Sequence, residues 1–369
     1  MKFKVSRDNL LKSLNLVAGV VERRQTLPIL ANVLMVLEGD RLSLTGTDLE
    51  VELVGRVQLP AAGEDGDVTV PARKLADIRK SLPEGSDIAF SVADGKATVK
   101  SGRSRFTLST LPAREFPSVE DSMGTHQLTL KQGQMKRLID RTGFAMAQQD
   151  VRYYLNGMLW ELDGKLLRVV ATDGHRLAMC TLPDKVKVKG EGPVQIILPR
   201  KGVLELARLL MDDEADLSIV IGSNHVRAVT DDFTFTSKLV DGKFPDYQRV
   251  LPRSPDKVVL GSRLDLRQAF TRTAILSNEK YRGVRLKLDQ NSLDILANNP
   301  EQEEAEETVA VEYGGDSLEI GFNVSYLLDV LGVLSGEQVR LSLADPNSSA
   351  LLEESEEGDS LYVVMPMRL

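Results

Sequence analysis

Two short runs in this chain hold groups that could do chemistry. Asp173-Gly174-His175 sets a carboxylate two residues from an imidazole, the pairing of a general base and its orienting acid. Glu301, Glu303, Glu304, Glu306 and Glu307 crowd five carboxylates together, a donor set of the kind that holds divalent metals in a nuclease. Neither run has its necessary company. The other histidines, His126 and His225, fall in unrelated places, and no serine elbow, Cys-His arrangement or phosphate-cradling glycine loop is present. A metal site needs several ligands at suitable spacing, which His175 alone does not provide. A glutamate run with no histidine and no second, separated acid fits a protein interface better than a metal centre. The expectation is a chain with no catalytic residue, no metal and no cofactor.

Charge points elsewhere. The chain carries a net charge of -8. Its helix-like segments are nevertheless basic: Arg73, Lys74, Arg79 and Lys80 in one; Lys131, Lys136, Arg137 and Arg141 in another; then Arg200, Lys201 and Arg208; then Arg263, Arg267 and Arg272. With segment 6–18, five of six such segments are net positive. An acidic chain with basic helices predicts one positive surface that meets a polyanion and an acidic exterior. No zinc-finger spacing or basic-region helix is visible, so contact with DNA should be to the backbone and independent of sequence. A plain non-specific DNA-binding protein would explain these helices too.

The two ends of the chain differ in opposite senses. Lys96, Lys100, Arg103 and Arg105 make one strand near the N-terminal end basic, while the glutamates of 301–307 make a segment near the other end acidic. The matching stretch of the middle carries Asp231 and Asp232. A head-to-tail contact between two chains would use both ends, and such contacts can close into a ring. Ile275 and Leu276 on one partner, with Phe106 and Leu108 on the other, would supply its apolar part.

These groups are set in a frame that repeats three times. Leu44-Thr45-Gly46-Thr47-Asp48 returns as Val169-Val170-Ala171-Thr172-Asp173 and as Ile295-Leu296-Ala297-Asn298-Asn299. Pro71-Ala72-Arg73-Lys74 returns as Pro199-Arg200-Lys201, and Phe116-Pro117-Ser118 as Phe244-Pro245-Asp246. The step is about 125 residues, the size of a whole domain rather than of a solenoid unit. Three domains are therefore expected, at 1–125, 126–253 and 254–369, each long enough to bury a core of its own. The boundaries fall in Glu120-Asp121-Ser122-Met123-Gly124 and Pro252-Arg253-Ser254-Pro255.

Each copy opens with a strand and a helix. Apolar residues at helical spacing are Leu10, Leu14, Val17 and Val21; then Met135, Leu138, Ile139 and Thr142; then Leu266, Ala269 and Phe270. A hairpin follows, turning at Glu38-Gly39-Asp40, Asp163-Gly164 and Gln290-Asn291, residues that tolerate positive φ. A second strand and helix carry Leu75, Ile78 and Leu82; Val203, Leu204, Ala207 and Leu210; and Tyr326, Leu327 and Val330. Alternating runs close each copy: Ile88-Phe90-Val92, Leu217-Ile219-Ile221 and Val339-Leu341-Leu343. The predicted class is α+β, three tandem domains, each with two helices packed on antiparallel sheet.

No apolar run approaches the length of a membrane span, and the alternating start Met1-Lys2-Phe3-Lys4-Val5 is unlike a signal peptide. A single cysteine, Cys180, excludes an internal disulfide and fits a reducing compartment. The expected location is the cytoplasm.

Longer strings identify a family. Tyr153-Tyr154-Leu155-Asn156-Gly157-Met158, Ala171-Thr172-Asp173-Gly174-His175-Arg176-Leu177, Asn298-Asn299-Pro300-Glu301-Gln302-Glu303-Glu304-Ala305-Glu306-Glu307 and Val364-Met365-Pro366-Met367-Arg368-Leu369 closely resemble the bacterial DNA polymerase III beta subunits, the replicative sliding clamps, and the likeness runs from Met1 to Leu369. Glu353-Glu354-Ser355-Glu356-Glu357 departs from the family pattern. The resemblance implies a head-to-tail homodimer of three-domain chains, twelve helices lining a hole around double-stranded DNA, and no catalysis. It implies loading by a clamp loader complex and tethering of the DNA polymerase III alpha subunit and other DNA polymerases, with mismatch-repair proteins and ligase docking through short linear motifs.

Carried over residue by residue, it implies a partner-peptide pocket at Leu155, Thr172, Gly174, His175, Arg176, Leu177, Pro245, Arg249, Val250, Asn323, Tyr326, Ser349, Val363, Met365, Pro366, Met367, Arg368 and Leu369. The apolar, methionine-bearing end of this sequence agrees, since methionines suit promiscuous grooves. Leu361 to Val364 also reads as a last core strand, which Pro366 stops. The DNA-facing residues it implies are Arg24, Arg73, Lys74, Gln149, Tyr153, Tyr154, Arg200 and Lys201. The dimer contact expected from the charged ends joins Lys96, Arg103, Arg105, Phe106 and Leu108 to Ile275, Leu276, Glu301, Glu303, Glu304, Glu306 and Glu307.

Overall fold

The structure is a computed structural model that describes residues 1–21, 27–119, 124–252, 255–355 and 358–368. Arg24, Glu356, Glu357, Leu369 and parts of both expected boundary segments lie outside the described residues.

Each repeat is built on one plan. In the first, β1 (Lys2–Ser6) and α1 (Arg7–Val17) precede β2 (Asn32–Glu38), β3 (Arg41–Thr47), β4 (Val51–Gln58) and β5 (Gly66–Pro71); α2 (Ala72–Ser81), β6 (Asp87–Ala93), β7 (Lys96–Ser101) and β8 (Ser104–Ser109) follow. In the second, the order is β9 (His126–Lys131), α3 (Gln132–Thr142), β10 (Gly157–Asp163), β11 (Leu166–Thr172), β12 (Arg176–Thr181), a short extra β13 (Lys187–Lys189), β14 (Val194–Pro199), α4 (Arg200–Leu209), β15 (Asp216–Ile221), β16 (His225–Val229) and β17 (Phe233–Lys238). The third has β18 (Lys257–Ser262), α5 (Arg263–Thr273), β19 (Gly283–Asp289), β20 (Ser292–Asn298), β21 (Glu304–Ala310), β22 (Leu318–Asn323), α6 (Val324–Val333), β23 (Gln338–Leu343), β24 (Ala350–Glu354) and β25 (Ser360–Val364).

Local chemistry explains the boundaries. Ser6 and Ser262 cap α1 and α5, accepting from the Asn9 and Asp265 amides, and Asn323 caps α6 through the Ser325 amide. The expected hairpin turns form, with Gly39, Gly164 and Asn291 all in the left-handed region. The helix-spaced apolar residues turn inward: Met135, Leu138 and Ile139 on α3 and Leu266, Ala269 and Phe270 on α5 are buried. Val21 is an exception. The first helix ends at Val17, where the Ala18 amide still reaches the Leu14 carbonyl, and the chain then turns so that Val20 is the buried residue.

Compactness does not follow the repeats. One unit comprises 1–133, 187–191 and 204–239; the other comprises 134–186, 192–203 and 240–369. The middle repeat therefore contributes to both units. The cause is strand pairing. In the first unit β17 adds to β4, so that strands of the first and second repeats share one nine-stranded sheet. In the second unit β25 adds to β12, joining strands of the second and third repeats in an eight-stranded sheet. Two four-stranded sheets remain, β1-β6-β7-β8 and β21-β20-β19-β22, one in each unit. Among the described residues no helix is long and apolar enough to cross a membrane.

Candidate functional site

The recurrent Thr-Asp pair is a turn device. Thr172 Oγ1 donates to the Arg176 carbonyl and accepts from the Gly174 amide at 3.1 Å, while Asp173 Oδ1 accepts from the His175 and Arg176 amides at 2.9 and 3.1 Å. Thr47 and Asp48 make the same four bonds to Val51, Leu49 and Glu50 in the first repeat. Asp173 Oδ2 accepts from Arg176 Nε, so the carboxylate holds the turn and an arginine rather than an imidazole. Gly174 sits at φ 89, and a Cβ there would lie 2.9 Å from the Arg152 guanidinium. Glycine is what lets Arg152 cross the turn and donate to the Asp173 carbonyl. Asp150, held by two bonds from the Arg152 side chain and one from its amide, has its carboxyl lowered to about 2.

The turn delivers Arg176 into a slot between rings. Its guanidinium lies 4.5 Å from the centre of the Tyr326 ring on α6 and 5.2 Å from that of Phe144, and donates to the Phe144 carbonyl. Asp329, one turn on from Tyr326, binds the same guanidinium. His175 also stacks with Tyr326, ring centres 6.5 Å apart, and is exposed. Burial pushes the Tyr326 hydroxyl's pKa up.

Beneath the turn lies an apolar floor. Leu177 and Val363 face one another across β12 and β25 and belong to a cluster with Leu159, Val170, Ile197, Phe244 and Tyr247. Pro245, Arg249 and Val250 follow Phe244 and are exposed around its rim, with Arg249 paired to Asp246 at 2.8 Å. The segment after β25 is tied at two points: the Met365 amide donates to the His175 carbonyl at 2.9 Å and the Met367 amide to the Gly321 carbonyl at 2.8 Å. Met365 and Arg368 are exposed, and Pro366 and Met367 half-buried. Asn323 is engaged as the α6 cap. Ser349 is half-buried beside Ala350, the partner of Val364. Leu155 is buried in the turn before β10, where its carbonyl accepts from the Ala147 amide.

The helix charges need correction. Arg79 is 3% exposed and Arg141 6%, so neither belongs to a surface that meets a polyanion. Arg141 is spent on Glu354 and Ser335, Arg208 on the Asn15 and Leu16 carbonyls, Arg263 on those of Leu331 and Gly336, and Arg272 on Glu307. Each serves a helix end or an ion pair, a role that charge counting cannot separate from a free cation. Arg73 and Lys74 remain exposed in the first unit. In the second, Arg200 and Lys201 are half-buried, Gln149 is exposed, and Tyr153 is 57% exposed with its ring edge-on to Tyr154. Leu108 also differs from expectation: it is buried in its own unit, while Lys96, Arg103 and Arg105 beside it are exposed. Ile275 is 74% exposed, and of the glutamates Glu301, Glu303, Glu304 and Glu306 are exposed and Glu307 half-buried against Arg272.

Comparison with known proteins decides the family. Models of the DNA polymerase III beta subunit match in chain order: N-terminal domain over residues 1–120, central domain over 129–246, C-terminal domain over 248–368. The chain belongs to the DNA polymerase III beta subunit family. It is 65% identical to the beta sliding clamp of Pseudomonas aeruginosa and 55% identical to that of Escherichia coli K12, over 100% of each chain. A crystal structure of the Pseudomonas aeruginosa clamp superposes with a TM-score of 0.97 at 65% identity, and one from Caulobacter crescentus with 0.91 at 37%, each covering 100% of both chains.

A DNA polymerase III beta subunit is a sliding clamp, a non-catalytic processivity factor built from three tandem domains, and its partners are DNA and the polymerase. In this beta subunit, sequence reasoning missed the residues that aim the named ones. Phe144 and Asp329 hold Arg176 and Arg152 holds the Gly174 turn, whereas Asp173, named as an acid beside His175, aims Arg176 instead. Asp329 was detectable from its helical spacing to Tyr326; Phe144 and Arg152 carried no local signal.

Proposed function

We propose that two copies of this chain close head to tail into a ring that encircles duplex DNA without reading its sequence. The observation that carries this is an asymmetry among equivalent strand edges. At both seams within the chain, a strand of one repeat pairs with the last strand of the next: β4 with β17, and β12 with β25. The last strand of the first repeat, β8, and the third-repeat equivalent of β4 and β12, which is β21, each end a four-stranded sheet. Pairing β8 of one copy with β21 of another makes the same seam again, and two such pairings close a ring of six repeats.

The sealed seams also supply a register. Phe235 faces Leu53 and Tyr362 faces Ala178. By the matching hairpin registers, Phe106 is the counterpart of Phe235 and Tyr362, and Ala305 that of Leu53 and Ala178. Phe106 then faces Ala305, Arg105 faces Glu306, and Thr107 faces Glu304 of the other copy. Phe235 and Tyr362 are fully buried, whereas Phe106 is half-exposed, as an unsealed edge requires. Ile275 follows α5 as Phe144 follows α3, and Phe144 packs 5.9 Å from Tyr362 at its own seam.

Arg73, Lys74, Gln149, Tyr153, Tyr154, Arg200 and Lys201 serve phosphate contacts that carry no sequence information. The groove over Leu177 and Val363 takes short linear segments of the polymerase III alpha subunit, other DNA polymerases, mismatch-repair proteins and ligase. A clamp loader complex opens the ring, and the work is done in the cytoplasm. The repeat boundaries lie near 125 and 253. Sedimentation of the pure chain at low micromolar concentration tests the ring: a species of twice 40.7 kDa is expected, and a 40.7 kDa monomer throughout would overturn it.

A further inference from the structure

We infer that Lys80 on α2 of one copy caps the C-terminal end of α5 in the other, as a softer version of a latch the chain makes once within itself. The inference rests on the head-to-tail ring proposed above.

The internal latch is Arg208 on α4. Its Nη1 donates to the Asn15 carbonyl at 3.0 Å and its Nη2 to the Leu16 carbonyl at 2.7 Å, in the last turn of α1. Those carbonyls lack intrahelical partners and sit at the negative end of the helix dipole. Glu205, one turn back on α4, steadies the guanidinium with contacts of 3.0 and 2.9 Å.

The same parts stand at the open seam. Helices α2 and α4 are equivalent: each has ten residues and starts directly after a proline, Pro71 or Pro199. Leu75 and Val203 are buried at matching places, as are Leu82 and Leu210. In that alignment Lys80 occupies the place of Arg208, and Asp77 that of Glu205. Helices α1 and α5 are equivalent too, with eleven residues each behind a serine cap, so Thr271 and Arg272 occupy the places of Asn15 and Leu16; the Arg272 carbonyl already accepts from the Ala274 amide, which makes the Thr271 carbonyl the acceptor offered to Lys80. Lys80 and Asp77 are exposed, and the charge of Arg272 is already met by Glu307. Closing the ring brings α2 to the other copy's α5 as α4 comes to α1.

The chemistry of the latch differs among the seams. An arginine fork engages two carbonyls at once, whereas an ammonium is a single, strongly hydrated donor on a flexible stem. At the second internal seam Gly332 stands in the place of Arg208 and, among the described residues, no such cap is made from α6; Arg141 on α3 instead crosses that seam to side chains, Ser335 Oγ at 2.7 Å and the Glu354 carboxylate at 2.9 Å. Arginine thus crosses both internal seams, whereas at the open seam the arginine in the place of Arg141, Arg272, is held by Glu307 of its own chain, and the cation in the place of Arg208 is Lys80.

Dimer dissociation constants and subunit-exchange rates of the full chain test this, with Lys80→Ala, Lys80→Arg and Phe106→Ala compared with the parent. Each ring has two such seams, so Lys80→Ala should raise the dissociation constant about 3- to 30-fold. Lys80→Arg should lower it and slow exchange, a gain that misfolding does not produce. If both Lys80 variants match the parent while Phe106→Ala weakens the dimer, the cap is wrong and the ring stands. If the parent is monomeric, or Phe106→Ala also has no effect, the ring reading fails and the cap with it.

Discussion

Leu177 and Val363 face each other across the β12–β25 seam, 3% and 2% exposed, one from the second repeat and one from the third. The floor of the proposed groove is thus the seam itself. It is already packed, so a docking peptide need not order it, and binding energy comes from the lip, where Met365 and Val250 are each 39% exposed.

A peptide that buries a few apolar side chains there should bind with a dissociation constant on the order of micromolar. Deleting residues 365–369 removes the Met365 and Met367 backbone ties along with the lip, and should weaken a polymerase-derived peptide at least about tenfold while the dimer remains. Fluorescence anisotropy of the labelled peptide reads this. Equal affinity for the truncated and full chains would move the groove elsewhere.

The proposed register makes a charge-swap prediction. Arg105→Glu or Glu306→Arg alone sets like charges opposite each other on adjoining strands and should weaken the dimer about tenfold over two seams. The double variant should recover most of the loss. If the double variant is as weak as the sum of the singles, the register is wrong.

Acid should loosen the second internal seam. Burial raises the Glu354 carboxyl, but the Ser335 amide, Arg141 and the Ser335 hydroxyl together hold its pKa below the ordinary value. A depressed folded-state pKa contributes stability that is complete above the ordinary glutamate range, about 4.3, and is lost as pH falls through the folded value. Glu354→Gln should cost about 2 kcal/mol near neutrality, and its melting temperature should fall less on acidification below pH ~4 than the parent's. Parallel curves would count against the role given to this pair.

Much of the frame was legible from the chain. The recurring Thr-Asp turn, the three positive-φ hairpin tips and the inward faces of α3 and α5 are local, and periodicity or turn chemistry reads local features directly. The seams were not, because β17 pairs with β4 from far along the chain and nothing in either strand names its partner. The same gap hid the division of the middle repeat. Arg79, Arg141 and Arg208 look like any surface arginine until the helix end or carboxylate they serve is in place. Phe106 and Leu108 alternate identically in sequence, yet Leu108 is buried and Phe106 stays half-exposed.

Cys180 should be inert in the folded chain. Burial pushes its thiol up to about 11, and the Ser360 hydroxyl donates to its sulfur at 3.2 Å across the β12–β25 pair. A thiol reagent at neutral pH should react only after denaturant opens that seam. Rapid labelling under native conditions would show that β25 leaves β12 readily.

The ring itself is tested most directly by retention on DNA of different topology. Direct phosphate contacts weaken as salt rises, but a closed ring stays threaded when they break. Loaded on a nicked circle, the protein should survive a high-salt wash, and it should be lost once the circle is cut to a linear molecule. Equal loss from circle and line would reduce it to a basic-faced DNA binder and contradict the account.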